Sequence, residues 1–378
     1  MSLQFSVTGR DVFAALVKLL RISGRDIDNI VVRAAQTAQR LEIHGNSAKQ
    51  SRRAMVIVPA KVIKPGRMQL ERVKLEGICK NRGNIEFNIS KSLAFQGEAS
   101  YSGRDIAILN YQPTDLLKLT SERAMPIEVQ GPLQTAIKSC LIASVFGGKQ
   151  LALALLIRDR QFYVVVADRF HSAVANFRLN RIQRERLKLI GLTQPVILPI
   201  DYAQILATQF TTTGLTIQVN SKTVTFANAD LKLELPALQT EHSYLDQVLG
   251  LDNNIRSTNL QLPYSELIVG KLDSLKVISK AAAPLQLMSR SGDKLLGLEY
   301  TSNSGKMTDS LDITDRARED FALLVEPNNF YNIAEKLKGP CNISFSPELI
   351  KLQQIIPNSN ITVKYYSATL QKPRKVRL

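Results

Sequence analysis

The chain has 378 residues, 44% of them hydrophobic and 22% charged, so it is too long for one typical domain and suits two or three. Its formal net charge of +16 indicates a polyanionic partner such as nucleic acid, with a merely basic, solvated surface as the alternative. Cys79, Cys140 and Cys341 are far apart and form no CxxC pair, and no leader pattern or apolar run of 18 residues occurs. We therefore expect a soluble intracellular protein with no membrane partner, no disulfide framework and no thiolate metal site.

The predicted elements fall into three thirds, each with two helices and several strands. The first third has helices over residues 9–21 and 68–81 and strands over 56–59 and 84–89. The second has helices over 132–145 and 200–210 and strands over 161–167, 196–199, 215–219, 223–226 and 231–235. The last has helices over 263–278 and 328–338 and strands over 295–300, 323–327, 341–345 and 361–366. This is an α+β layout in which helices cover antiparallel sheets.

The three thirds repeat one order of helix, glycine and alternating strand. Gly83, Gly214 and Gly339 each follow a predicted helix, where a left-handed cap is usual, and are 131 and 125 residues apart. Each precedes a strand that alternates apolar and polar residues. This period predicts three topologically similar domains, over residues 1–125, 126–252 and 253–378.

The positive charge is concentrated at the two ends of the chain. Residues 1–125 hold 20 basic and 11 acidic side chains, residues 126–252 hold 12 and 10, and residues 253–378 hold 17 and 12. On the first helix the basic residues share one stripe, opposite an apolar stripe. The side chains predicted to meet phosphates are Arg10, Lys18, Arg21, Arg25, Arg72, Lys80, Lys138, Lys276 and Lys280.

The sequence predicts binding to duplex DNA without sequence preference. It has no zinc-finger spacing, no recognition-helix motif and no tryptophan, and aromatic residues are only 6% of the chain. Base reading and single-strand stacking both need such features. Contacts are therefore expected to go to the phosphate backbone.

No constellation of residues predicts catalysis or a cofactor. The phosphate-binding loop, the dinucleotide fingerprint and the HExxH motif are absent, and His44, His171 and His242 are isolated. One acidic run could hold a metal only if it folded together, and it lacks the turn glycine of a calcium loop. The run consists of Asp309, Asp312, Asp315, Glu319 and Asp320. A metal-dependent nucleic-acid enzyme and a basic structural nucleic-acid-binding protein stay open as alternatives.

Several stretches resemble the bacterial DNA polymerase III beta-subunit sliding clamp family, including its phage relatives. VVVADRFHSAVANF (164–177) looks like the family's strand-turn segment with the ATDGHRLAV pattern, and VILPIDYAQIL (196–206) is similar to its VIVPRKGVIEL-type strand and helix. Residues 231–249 resemble the end of the middle domain, and the final VRL is close to the family's terminal MRL. The resemblance implies the DNA clamp fold and a protein that is not an enzyme.

The family's properties imply a head-to-tail homodimeric ring that encircles double-stranded DNA. Such a ring tethers a replicative DNA polymerase as its processivity factor and is opened by a clamp loader, and it needs no cofactor of its own. Because family members are acidic and this chain is basic, we expect a divergent or phage lineage, acting in the cytoplasm of a bacterium or of a phage-infected host.

The resemblance also implies two protein-binding sites. A partner-binding pocket is expected at Ala167, Arg169, Phe170, His171, Ser172, His242, Tyr244, Val376, Arg377 and Leu378. It departs from the family at Arg169, where the family has glycine, and at Ser172, where it has leucine, so an acidic motif could be preferred or the pocket lost. The subunit interface is expected where an edge strand with Ile106 and Ile108 meets the third domain near Leu275 and Ile278.

Overall fold

The computed structural model forms two compact units. One comprises Met1–Gly131, Glu185–Gly191 and Ile205–Ala237, and the other comprises Pro132–Arg184, Leu192–Gln204 and Leu238–Leu378. No helix among the described residues is long and apolar enough to cross a membrane. The structure describes residues 2–47, 49, 52–80, 82–91, 97–101, 104–106, 127–128, 132–141, 152–167, 171–189, 192, 194–210, 216–219, 223–237, 243–255, 260–262, 268–273, 284–302, 305–337 and 339–370.

The helices and strands alternate along the chain in the order of an α+β protein. Helices α1 to α7 cover Gly9–Ser23, Arg72–Cys79, Pro132–Cys140, Arg181–Leu189, Ile200–Gln209, Ser243–Asn254 and Pro327–Lys336, and residues 268–273 are also helical. Strands β1 to β9 cover Ser2–Thr8, Asn29–Ala35, Arg40–Ser47, Arg52–Pro59, Lys61–Lys64, Gly66–Glu71, Asn84–Lys91, Gly97–Tyr101 and Arg104–Ile106. Strands β10 to β17 cover Ile127–Glu128, Ala152–Arg158, Gln161–Ala167, His171–Arg178, Val196–Pro199, Thr216–Val219, Thr223–Ala227 and Leu231–Pro236. Strands β18 to β25 cover Leu260–Leu262, Leu285–Ser289, Leu295–Ser302, Gly305–Asp312, Phe321–Val325, Cys341–Ser346, Leu349–Ile355 and Ile361–Ala368.

The described strands form four antiparallel sheets. Two of them have eight strands, in the orders β10-β15-β16-β17-β4-β3-β2-β6 and β14-β11-β12-β13-β25-β24-β23-β18. The other two have the orders β5-β1-β7-β8-β9 and β21-β20-β19-β22.

One topology occurs three times in these sheets. The sets β6-β2-β3-β4, β14-β11-β12-β13 and β22-β19-β20-β21 are equivalent, as are β1-β7-β8-β9, β10-β15-β16-β17 and β18-β23-β24-β25. In each eight-stranded sheet a set of one type joins a set of the other type, through β4–β17 or β13–β25. The predicted α+β class with three topologically similar repeats is therefore confirmed, while the limits of the three domains stay a prediction.

Helix α1 packs against the sheet face formed by β3 and β4. Val12, Leu16, Leu19 and Ile22 recur at helical spacing and are fully buried, as the apolar stripe predicts. Burial of each such side chain contributes roughly 1.5–3 kcal/mol. Gly45 on β3 permits this close packing, because a Cβ there would lie 3.0 Å from a Leu19 methyl carbon. The opposite stripe of α1 is thereby left for charged residues.

The predicted helix over 68–81 is wrong at its start. Residues 68–71 belong to strand β6, because Gly66–Glu71 pair with β2, and the helix begins at Arg72. Gly83 has no left-handed φ, and α2 instead ends through Lys80 at φ −57°. Gly339, by contrast, has φ +80° just after α7, as predicted. Gly214 and parts of the helices predicted over 132–145 and 263–278 lie outside the described residues.

Candidate nucleic-acid interface and partner pocket

Four basic side chains from the sequence prediction lie on the exposed stripe of α1 or, for Arg25, just after the helix. Arg10, Arg21 and Arg25 are exposed and Lys18 is partly exposed. Within the described part of the chain, none of these four side chains forms an ion pair. Because no carboxylate neutralises them, they are available to anions in solution.

A groove of about 560 Å³ runs beside this stripe. Its apolar floor is formed by Phe13, Ala14 and Val17, and Lys18 and Arg21 stand among the lining residues. Thr208 and Gln209 of α5 complete the lining, and Gln209 Nε2 donates to Thr208 Oγ1 over 3.2 Å. These two residues were missed in the sequence, because they are distant in the chain and uncharged. The groove combines positive charge with polar groups, which suits a phosphate backbone.

Arg72 does not belong to the free cationic surface. Its Nη1 donates to Glu76 Oε1 over 2.8 Å and its Nε donates to the carbonyl of Ile27 over 2.8 Å. Its side chain is only 18% exposed. The guanidinium thus ties α2 to the segment before β2. Lys80 and Lys138 are exposed, and Lys276 and Lys280 lie outside the described residues.

Two residues of the predicted partner pocket lie in or against a buried cluster beneath α6. Ala167 is buried together with Val174, Leu245 and Tyr366, and Tyr244 packs against this cluster. The Tyr244 hydroxyl is buried and has no hydrogen-bond partner among the described residues, and burial raises its pKa. The structure therefore brings Ala167 and Tyr244 into one neighbourhood, while their role as a partner pocket stays a prediction.

Ser172 and His171 lie at the start of β13, beside β25. Ser172 is buried and faces Tyr366 across the strand pair. His171 Nε2 lies 2.8 Å from Asn329 Nδ2, in the first turn of α7. The predicted residues Arg169, Phe170, His242, Val376, Arg377 and Leu378 lie outside the described residues.

A groove of about 340 Å³ adjoins this cluster. The side chains of Tyr163, Val248, Leu249 and Tyr366 contribute to its lining, so it has both aromatic and aliphatic surface. Arg158 also lines it and bridges to Asp246 over 3.0 Å. Charged side chains, among them Asp159, Asp252 and Lys364, line the same groove, so polar and apolar groups alternate along its walls.

Asp252 is the most connected charged group in this groove. Lys351 Nζ donates to its Oδ1 over 3.1 Å, Tyr366 Oη donates to the same oxygen over 3.0 Å, and Lys364 Nζ contacts Oδ2. Burial raises the pKa of Asp252, but the hydrogen bonds from Lys364 and Lys351 outweigh it, so its pKa lies below the ordinary value. The carboxylate therefore stays charged and fastens α6 to β24 and β25. No sequence signal identified it, since its partners are about 100 residues away.

The predicted subunit interface is only partly described. Ile106 ends β9, which is the outermost described strand of its sheet, while its place in a subunit interface stays a prediction. Ile108, Leu275 and Ile278 lie outside the described residues.

The acidic run does not come together as a metal site. Asp309 accepts from Lys271 Nζ over 2.8 Å, whereas Asp320 accepts from the backbone N–H of Ser291 over 2.7 Å. Among the described residues, no three His, Cys, Asp or Glu side chains are placed to hold a metal ion.

Comparison with known proteins gives structural matches only. No family model matches the chain, and no curated protein sequence matches it. The sliding clamp of Bacillus subtilis matches over 100% of both chains at 12% identity and a TM-score of 0.74. The beta subunit of Streptococcus pyogenes DNA polymerase covers 98% of this chain and 100% of its own at 14% identity and TM-score 0.73. The Caulobacter crescentus sliding clamp covers 97% and 99% at 15% identity and TM-score 0.72. The chain thus has the fold of the bacterial DNA polymerase III beta subunits, which confirms the resemblance predicted from the sequence.

Proposed function

We propose that this protein is a DNA sliding clamp: a homodimeric ring that encircles duplex DNA, without sequence preference, and tethers a replicative DNA polymerase to it. It performs no reaction of its own. The observation that carries the proposal is that four of the six four-stranded sets pair with each other within the chain, whereas the remaining two each end in an edge strand. Two of the three junctions between sets are made within the chain, by β4–β17 and β13–β25.

The third junction supplies the reason for a second copy of the chain. Strands β21 and β9 occupy the positions equivalent to the joined strands, yet each ends its sheet in the described chain. If β21 of one protomer pairs with β9 of the next, a head-to-tail contact forms whose repetition closes a ring. Ile106 and Ile108 would then lie at or beside this contact, with Leu275 and Ile278 supplied by the third repeat.

The basic residues of α1, together with Arg25 just after the helix, are proposed to face the DNA. Arg10, Lys18, Arg21 and Arg25 carry no ion pair in the described structure, and each phosphate contact they make is weak and replaceable. Lys80, Lys138, Lys276 and Lys280 would add similar contacts. Topology then provides retention, and weak contacts permit sliding.

The polymerase and the clamp loader are proposed to dock at the predicted partner pocket. Supporting this, Ala167 and Tyr244 pack in one cluster beside the groove at α6. The basic side chains of Arg169 and Arg377 favour an acidic residue in the docking motif. Loading would use ATP hydrolysed by the loader, in the cytoplasm of a bacterium or of a phage-infected host.

Sedimentation equilibrium of a Ser310→Pro variant tests the ring. The backbone N–H of Ser310 on β21 donates to Asp309 Oδ1 and therefore does not point toward β20. Proline at this position keeps the pairing with β20 intact but removes a backbone donor from the outer edge of β21. We expect a dimer for the wild type and a monomer for the variant.

The matched control is Ala322→Pro on β22, at the opposite edge of the same sheet. The carbonyl of Leu324 on that strand accepts from the backbone N–H of Leu370, so the backbone groups of Leu324 point away from β19. The backbone N–H of Ala322, two residues away, points to the same outer edge. This control should remain dimeric. A monomeric wild type, or dissociation of both variants alike, contradicts the proposed junction.

A further inference from the structure

The eight-stranded sheet that supports α1 has a second face that the clamp function does not use. On β3, Leu41, Ile43 and Gly45 point toward α1, because Gly45 contacts Leu19. Successive residues of a strand alternate between faces, so Glu42 and His44 lie on the opposite side. We call this side the outer face of the sheet.

Three arginines gather on the outer face, and we call them the arginine cluster: Arg33 on β2, Arg40 on β3 and Arg67 on β6. Arg33 stands directly opposite Arg67 in the β2–β6 pairing. Like charges directly opposite each other destabilise a sheet, so this pair has a cost for folding. A binding role for an anion would explain why the sheet keeps it.

One buried carboxylate holds part of the cluster in place. Arg40 donates to Glu42 Oε1 through Nε over 3.0 Å and Nη2 over 2.8 Å, and Arg33 Nη1 reaches Oε2 over 3.4 Å. The side chain of Glu42 is only 4% exposed, whereas those of Arg33 and Arg40 are 54% and 41% exposed. The guanidinium groups are thus oriented from below and open to solvent above.

The cluster retains uncompensated charge. Arg33 and Arg40 share the single carboxylate of Glu42, and Arg67 is exposed with no ion pair among the described residues. Beside Glu42, His44 is buried, with its Nε2 3.6 Å from Glu42 Oε2. The arginine cluster with Glu42 therefore has two surplus positive charges over a polar floor.

We propose that the arginine cluster docks an acidic, carboxylate-rich segment of a partner protein. Guanidinium groups bind carboxylates through paired hydrogen bonds, and charge complementarity favours such an occupant. Strand β6 ends its sheet in the described structure, so an extended segment beside it also gains backbone hydrogen bonds. A single-stranded nucleic acid fits less well, because β2, β3, β4 and β6 contain no aromatic residue on which bases could stack.

Fluorescence anisotropy with a labelled ten-residue oligoglutamate peptide tests the proposal. We expect Arg67→Gln to weaken binding several-fold and Arg33→Gln/Arg67→Gln to weaken it by at least about tenfold, because each removes a charge-assisted contact. Arg67→Gln breaks no ion pair in the described structure, so its fold should be unaffected.

The matched control is Arg53→Gln, on the same face but away from the cluster, where Arg53 is 49% exposed and 3.8 Å from Glu234. It should change binding by less than about twofold, since general charge attraction is all it loses. Equal weakening by Arg53→Gln and Arg67→Gln, or unchanged binding in the double variant, overturns the proposal. Tighter binding of a ten-residue oligothymidylate than of oligoglutamate, with the same dependence on Arg33 and Arg67, assigns the surface to nucleic acid and also overturns it.

Discussion

Neutralising two cations of α1 should lower the salt dependence of DNA binding by a calculable amount. Lys18 and Arg21 both line the groove beside α1, and neither forms an ion pair within the described residues. We therefore expect Lys18→Gln/Arg21→Gln to fold as the wild type does, with a change in unfolding free energy below about 0.5 kcal/mol.

The magnitude follows from counterion release. Each phosphate contact contributes about 0.9 to the slope of log affinity against log salt concentration. Loss of two contacts per chain removes about four from the proposed homodimeric ring and should reduce the slope by about 3.6, so a fourfold rise in salt costs the wild type about a hundredfold more affinity than the variant.

The assay is fluorescence anisotropy of a labelled duplex at several salt concentrations, repeated with a second, unrelated sequence. Lys61→Gln and Arg290→Gln serve as controls, since both residues are exposed cations outside α1. They should leave the slope nearly unchanged. A variant slope equal to that of the wild type, or the same reduction in the controls, refutes the assignment of α1 to DNA.

Three further predictions concern the supporting structure. Arg72→Gln should lower the unfolding free energy measured by urea denaturation by about 1–3 kcal/mol, because Glu76 and the Ile27 carbonyl lose their donors. It should leave the salt slope of DNA binding unchanged. A reduced slope would show that Arg72 contacts DNA. Contact with His44, opposed by burial and aided by Arg40 and Arg33, lowers the pKa of Glu42 from 4.5 to about 2. Ionised Glu42 therefore adds about 3 kcal/mol to the unfolding free energy above pH 4.5, and this stabilisation is lost as the pH falls toward 2. The destabilisation caused by Glu42→Gln should shrink over the same range. A stability difference that does not change with pH would contradict this. Asp252→Asn should weaken the links from α6 to Lys351 and Lys364. Relative to the wild type, hydrogen exchange should become faster in Ser243–Asn254, with a smaller change in α7. Equal exchange in wild type and variant would show that Asp252 does not hold the helix.

The periodicity of apolar residues was enough to predict those helices and strands that bury a regularly spaced apolar face. Helix α1 was predicted over 9–21 and ends at Ser23, because its apolar residues recur at helical spacing. The strand predicted over 84–89 is the core of β7 for the same reason, with its period of two. Repetition of these local patterns was also enough to predict three similar folding units.

Long-range pairing explains what the sequence could not predict. Residues 68–71 have helical spacing, yet they form a strand because β2 lies beside them. The links from Asp252 to Lys351 and Lys364 join residues that no local pattern connects, and α6 was therefore not foreseen as the wall of a groove. Charge alone likewise could not distinguish Arg72, bound within the fold, from the free cations of α1.

The most direct test of the clamp itself is retention on circular DNA. Labelled protein is loaded onto nicked circular duplex with a clamp loader or by subunit reassembly, and is separated by gel filtration at moderate salt before and after the circle is linearised. A ring predicts that protein stays with the circle and is lost on linearisation, because it slides off the ends. Equal retention on both forms, or no retention on the circle, would contradict encirclement as the basis of function.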